Sequence, residues 1–181
     1  MTDETKNESL NLIIYFVVNL LLLGLQSSLW PSIAGSIPSP HFLMYSLLFF
    51  ALFHDLKTGA AFLIFSVALY SSYSIVPIEI LFFCLACIYV LVNQVKKRVF
   101  WPGSSYFTLM SGISVILFHF CYYLFSWMIE DDASGYASIQ WGFWLLQLLS
   151  TALFAPLFYW IFVRVEAATR GFDTSDVEEA I

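Results

Sequence analysis

His54 and Asp55 stand side by side in the stretch His54-Asp55-Leu56-Lys57 and offer the parts of a general base with an orienting carboxylate. Catalysis of that kind needs a nucleophile, and partners that converge on one reacting atom. Neighbours in sequence do not converge in that way, so the pair reads more simply as a hydrated turn. Cys84 and Cys87 have C-x-x-C spacing, but zinc takes about four ligands and no second solvent-facing Cys/His pair completes the set. Packing accounts for both thiols. His119 lies inside an apolar run, where a role as ligand or proton carrier needs partners on other helices. Glu79 follows Pro77 in the first turn of another run, placed either to cap a helix or to face a substrate. The sequence has no phosphate loop, HExxH, nucleophile elbow or paired catalytic carboxylates. The expectation is a non-enzymatic chain with no catalytic residues, metal or cofactor.

The elements that position these residues follow from composition. The 181 residues are 60% hydrophobic and 11% charged, with mean hydropathy +0.82. A soluble domain is about 45–50% apolar and about 25% charged, so the chain falls in the membrane class. Net charge is −6, and no basic surface for nucleic acid is present. Cys84, Cys87 and Cys121 all lie in apolar runs, which predicts reduced, packed thiols. The start, MTDETKNESL, lacks the basic region and cleavage site of a signal peptide, so the first apolar run is expected to remain as a membrane helix.

Six apolar runs approach the roughly 20 residues that a spanning helix needs. They are Leu10 to Trp30, Ile37 to Leu56, Gly59 to Val76, Ile78 to Val95, Ser104 to Ile129 and Ile139 to Val163. Pro31, Pro38 and Pro40 forbid continuous helix between the first two. Lys57-Thr58-Gly59 is read as the next turn, Pro77 as the start of the fourth run, and Trp101-Pro102-Gly103 and Glu130–Gly135 as the last breaks. With six spans, Lys6, Lys57, Lys96, Lys97, Arg98, Arg164 and Arg170 all fall on one side. The positive-inside rule makes that side cytoplasmic and puts both termini there. The six tryptophans near span ends agree with this layout. The fold class is therefore an all-α integral membrane protein. Residues 1–9 form a cytoplasmic tail, 10–165 the six-helix domain, and 166–181 an acidic, solvated cytoplasmic tail.

Polar residues inside spans usually face the bundle interior. Tyr15, Asn19, Gln26 and Trp30 share one face of the first run, either as interhelical hydrogen-bond donors and acceptors or as a partner-docking face. Ser105, Gly112 and His119 on the fifth run, and Gln147, Thr151 and Ala155 on the sixth, form stripes through which these two helices can pack.

The order of features resembles the rod shape-determining protein MreD family over roughly Leu10 to Arg170. The first helix ends Leu25-Gln26 and then Trp30-Pro31, and the second is entered by Pro40. A short basic turn with Gly59 follows, then the basic Val95-Lys96-Lys97-Arg98 after the fourth helix. The last helix ends Ala155-Pro156-Leu157-Phe158-Tyr159-Trp160 and then Arg164. The family's D-L-x-S-G-x-x-x-G pattern is replaced by Ala68–Pro77, which keeps only a serine.

The resemblance implies a non-enzymatic scaffold of the bacterial inner membrane. It implies binding to an MreC-like bitopic protein, with the MreB filament and the RodA–transpeptidase pair as further partners in peptidoglycan synthesis. The implied fold is similar to the six-helix substrate-binding subunits of energy-coupling-factor transporters, and a vitamin-binding subunit of that kind is the alternative function. The implied partner contacts are Tyr15, Asn19, Gln26, Trp30, Pro31, Pro38, Pro40, His54, Asp55, Lys96, Lys97 and Arg98. The basic trio also suits anionic membrane lipid.

Overall fold

A computed structural model of the chain describes residues 3–74, 76–99, 103–129 and 141–170, with backbone alone for 3–10 and 170. The described residues form helices joined by short connections, with no strand among them. Helix α1 (Asp3–Gly24) passes through a π-helical turn at Leu25–Leu29 into α2 (Trp30–Ala34). There follow α3 (Phe42–Phe53), α4 (Leu56–Ser71), α5 (Ile78–Arg98), α6 (Ser104–Ile129) and α7 (Trp141–Arg170). Four stretches are long and apolar enough to cross a membrane: Asn11–Ala34, Ile78–Arg98, Ser104–Ile129 and Trp141–Thr169. The expected acidic loop at Glu130–Asp132, the Trp101-Pro102 break and the tail beyond residue 170 lie outside the described residues.

Helix α3 is the centre. Its sequence, FLMYSLLFFALF, has no polar face, and every residue from Phe42 to Leu52 is buried. A helix that is apolar all round is stable only when covered on all sides, and α1, α4, α5, α6 and α7 all contact it. It runs alongside α7 in the same direction, with Tyr45 against Thr151 at one end and His54 against Glu166 at the other. Helix α1 and its continuation into α2 run the opposite way, from Asn11 beside Glu166 to Trp30 beside Phe154.

Four boundaries differ from expectation. Pro31 does not stop the first helix. In an α-helix its ring would press on the carbonyl four residues back. The π-turn before it widens the coil, with the Trp30 N–H donating to the Leu25 carbonyl. The chain instead breaks at Gly35, whose φ of +61° favours glycine. The turn between the second and third runs falls at His54-Asp55, both extended, rather than at Lys57-Thr58-Gly59. Asp55 occupies the N-cap of α4, where its carbonyl accepts the Gly59 N–H at 3.0 Å. The hydrogen-bonding Thr58 hydroxyl beside it holds its carboxyl below the usual range.

At the end of α7 the helix carries on through Arg170, so Glu166 belongs to the bundle rather than to a solvated tail. Helix α5 likewise continues through Lys96, Lys97 and Arg98, which form its last turn rather than a loop. Cations there complement the helix dipole.

Gly59 is needed for a close approach. A Cβ at this position would overlap the Tyr89 side chain, whose hydroxyl donates to the Leu56 carbonyl at 3.2 Å. Gly59→Ala should therefore destabilise the bundle by about 1–3 kcal/mol through overpacking. Unfolding in mixed detergent micelles measures this. The loss should shrink in a Tyr89→Phe background, because the closest overlap is with the hydroxyl, and persist in part because the ring is also close.

Candidate functional site

The polar side chains inside the bundle collect in two clusters, one near each end of α3. At the end near the start of α1 and the close of α7, Glu166 on α7 is buried at 8% exposure. Its carboxylate accepts from Asn11 Nδ2 at 3.1 and 3.2 Å and from the Tyr15 hydroxyl at 3.3 Å. His54 Nε2 lies 3.6 Å away, within ion-pair range when the ring is protonated. The His54 ring stacks on Phe50 at 4.2 Å and 11°, and Phe50 stacks in turn on Phe62 at 3.9 Å and 4°. This cluster ties α1, α3 and α7 together at one level. One turn further along α1, Asn19 donates to the Tyr15 carbonyl and accepts from Ser46 of α3 at 2.6 Å.

At the other end, the segment before α3 is pinned to α7. The His41 backbone N–H donates to Thr151 Oγ1 at 3.2 Å, and the Ser39 carbonyl accepts from Gln147 Nε2 at 3.1 Å. The Tyr45 hydroxyl donates to the Thr151 carbonyl at 2.6 Å. Pro156 lacks the N–H that would bond the next carbonyl along, that of Ala152, and a neighbouring helix commonly supports such a turn. His119 of α6 reaches Gln147 Oε1 at 2.8 Å and stacks on Trp144 at 4.7 Å and 12°. Gly112 of α6 faces Leu148 of α7. The stripes expected on the last two runs thus meet through Gly112 and His119, while Thr151 turns to α3 and Ser105 is exposed.

The expected partner contacts divide sharply by position. Tyr15, Asn19 and His54 are buried and bonded within the bundle, the interhelical arrangement anticipated for Tyr15 and Asn19. Pro38 and Pro40 are also buried. Gln26 is half-buried beside Tyr70. Trp30 is half-buried and donates its indole N–H to the Ile37 carbonyl at 2.9 Å, which holds the Gly35–Pro40 connection against α2. Lys96 reaches back to the carbonyl of Ala51 in the last turn of α3 and to that of His54 just beyond it, at 3.4 and 3.3 Å. Pro31, Asp55, Lys97 and Arg98 are exposed.

His54 and Asp55 do not act as a pair, because His54 turns in toward Glu166 and Asp55 outward. Glu79 is exposed on the edge of a shallow apolar groove between α4 and α5. Cys84 and Cys121 are buried, Cys87 half-buried, and all three are free thiols. No group of three His, Cys, Asp or Glu able to hold a metal occurs among the described residues.

Sequence reasoning missed Glu166. A signal was present: Ala155, Phe158, Phe162 and Glu166 follow helical spacing, and all four are buried on one face of α7. Compared with family models, with curated proteins and with solved structures, the chain matches none.

Proposed function

We propose that the chain is a non-enzymatic, multi-pass scaffold of the bacterial inner membrane that works by contact with other membrane proteins. On the sequence resemblance to the MreD family, its place is the cell-elongation machinery. There it would hold an MreC-like bitopic protein and help regulate peptidoglycan synthesis beside the MreB filament and the RodA–transpeptidase pair. The observation that carries the contact reading is the burial of α3. A helix with every residue from Phe42 to Leu52 buried fills the middle of the bundle with side chains, where a carrier of a small molecule needs room. The buried polar groups of the two clusters bond largely between helices, with Asn11 Oδ1 and His41 Nε2 left without a hydrogen-bond partner among the described residues. Exposed polar groups such as Asp55, Lys57, Lys97 and Arg98 sit at one end.

This reading includes six crossings with both termini in the cytoplasm. Lys57, Lys96, Lys97, Arg98 and Arg164 gather at the end where His54 meets Glu166, which the positive-inside rule assigns to the cytoplasm. Arg164 lies over the Trp160 ring at 4.0 Å, an arrangement suited to the membrane interface. Helix α3 is only 12 residues long, or about 18 Å, against a hydrocarbon core of about 30 Å. Its cover of neighbouring helices removes the need to match that thickness, since from Phe42 to Leu52 it meets protein.

The topology predicts that a Ser36→Cys variant is labelled by a membrane-impermeant maleimide from outside intact spheroplasts. Protection there, with labelling only after lysis, would reverse the orientation. Depletion should round rod-shaped cells, and the purified protein should bring down a single-span membrane protein. Normal shape on depletion, together with loss of vitamin uptake, would instead select the transporter subunit.

A further inference from the structure

An apolar groove of about 550 Å³ runs between α6 and α7, at the end of the bundle away from Glu166. Its walls include Phe120, Tyr123, Trp141, Trp144 and Leu145, all but Trp144 well exposed on the outer surface of the bundle. Its one imidazole is that of His119. The protonation of that ring can be read from a relay. Gln147 Nε2 donates to the Ser39 carbonyl at 3.1 Å, which fixes the amide and turns Oε1 toward His119. Oε1 only accepts, so His119 Nε2, 2.8 Å away, carries the hydrogen. In the neutral ring the other nitrogen, Nδ1, is then a bare acceptor. Trp144 stacked on the ring fixes its plane.

An acceptor beside apolar walls is stabilised by a donor and by nothing else in a hydrocarbon setting. The ester groups of lipids carry acceptors alone and leave Nδ1 unsatisfied. We propose that this groove is a binding site for a hydroxyl-bearing lipid, its chain along the aromatic wall and its O–H donated to His119 Nδ1. The volume falls within the range of small-ligand sites. The relay ties occupancy to the segment before α3, because Ser39 sits at the far end of the hydrogen-bonded chain. This site is separate from the packed centre on which the scaffold reading rests, so either can fail without the other.

The test uses the full chain in nanodiscs and a diazirine-bearing octadecanol as the photolabel. The label should map to α6 between Val115 and Tyr123 and to α7 between Trp141 and Leu148. Unlabelled octadecanol should compete at roughly a third to a tenth of the concentration needed by octadecyl methyl ether, which lacks the donor. His119→Phe keeps an aromatic ring and should erase that preference while leaving apolar labelling in place. Equal competition by alcohol and ether on the unaltered protein would overturn the proposal and leave a groove filled by any acyl chain. Labelling elsewhere in the bundle would overturn it too. Should His119→Phe not fold, the competition on the unaltered protein decides alone.

Discussion

Glu166→Ala is expected to lower the stability of the bundle by about 3–5 kcal/mol, the range for breaking a buried ionic group away from its partners. The carboxylate gathers Asn11 Nδ2, the Tyr15 hydroxyl and the His54 ring from two other parts of the chain. Alanine leaves those donors facing an apolar space, and each such loss adds a desolvation cost. Glu166→Gln should be milder, because the amide oxygen still accepts while the charge is gone. Titration of detergent-solubilised protein with a denaturing detergent, followed by circular dichroism, gives the comparison. A Glu166→Ala loss under about 0.5 kcal/mol, the size typical of an exposed position, would mean that the carboxylate does not hold the three helices together.

Phe50→Ala is expected to cost about 3 kcal/mol, the low end of the range for removing a large buried aromatic. The low end applies because lipid is as apolar as the core, so the transfer contribution is small and the loss is one of contacts. Phe50 is fully buried. It lies between the faces of Phe62 and His54, with the edge of Tyr15 at 4.8 Å. Its removal should also loosen His54. In a double variant with Glu166→Ala the two losses should therefore add to less than their sum. Full additivity in the same detergent titration would show the ring stack and the carboxylate cluster to be independent.

Long uninterrupted apolar runs with clear punctuation were legible. Ser104–Ile129 appears as expected, and Pro77 sits at the N-cap of α5. The 54–59 turn was misplaced because glycine suggests a bend, whereas Gly59 is there for the Tyr89 side chain. That reason lies 30 residues away in sequence and leaves no local trace. Pro31 carried a strong local rule, overridden by a change of helix type that propensities do not encode. Glu166 looked solvated because it follows the last apolar run, and its Asn11 partner is 155 residues distant. The polar stripe on α1 was visible from spacing alone. What spacing could not say is that its acceptors and donors are Glu166 and Ser46 rather than another protein.

The coil at Leu25–Leu29 also sets a phase. An α-helix advances about 100° per residue at 3.6 residues per turn, and a π-turn accommodates one residue more than an α-turn would. Everything beyond it, Trp30 and Pro31 included, is thus rotated about 100° from the direction a straight α-helix would give. Deleting Ser28 alone would reset that phase. The Trp30 indole would swing off the Ile37 carbonyl, and Pro31 would again face the carbonyl four residues behind it. The Trp30–Ala34 tip of the first helix is in this sense aimed by chain length, and one residue added or removed re-aims it without altering any side chain.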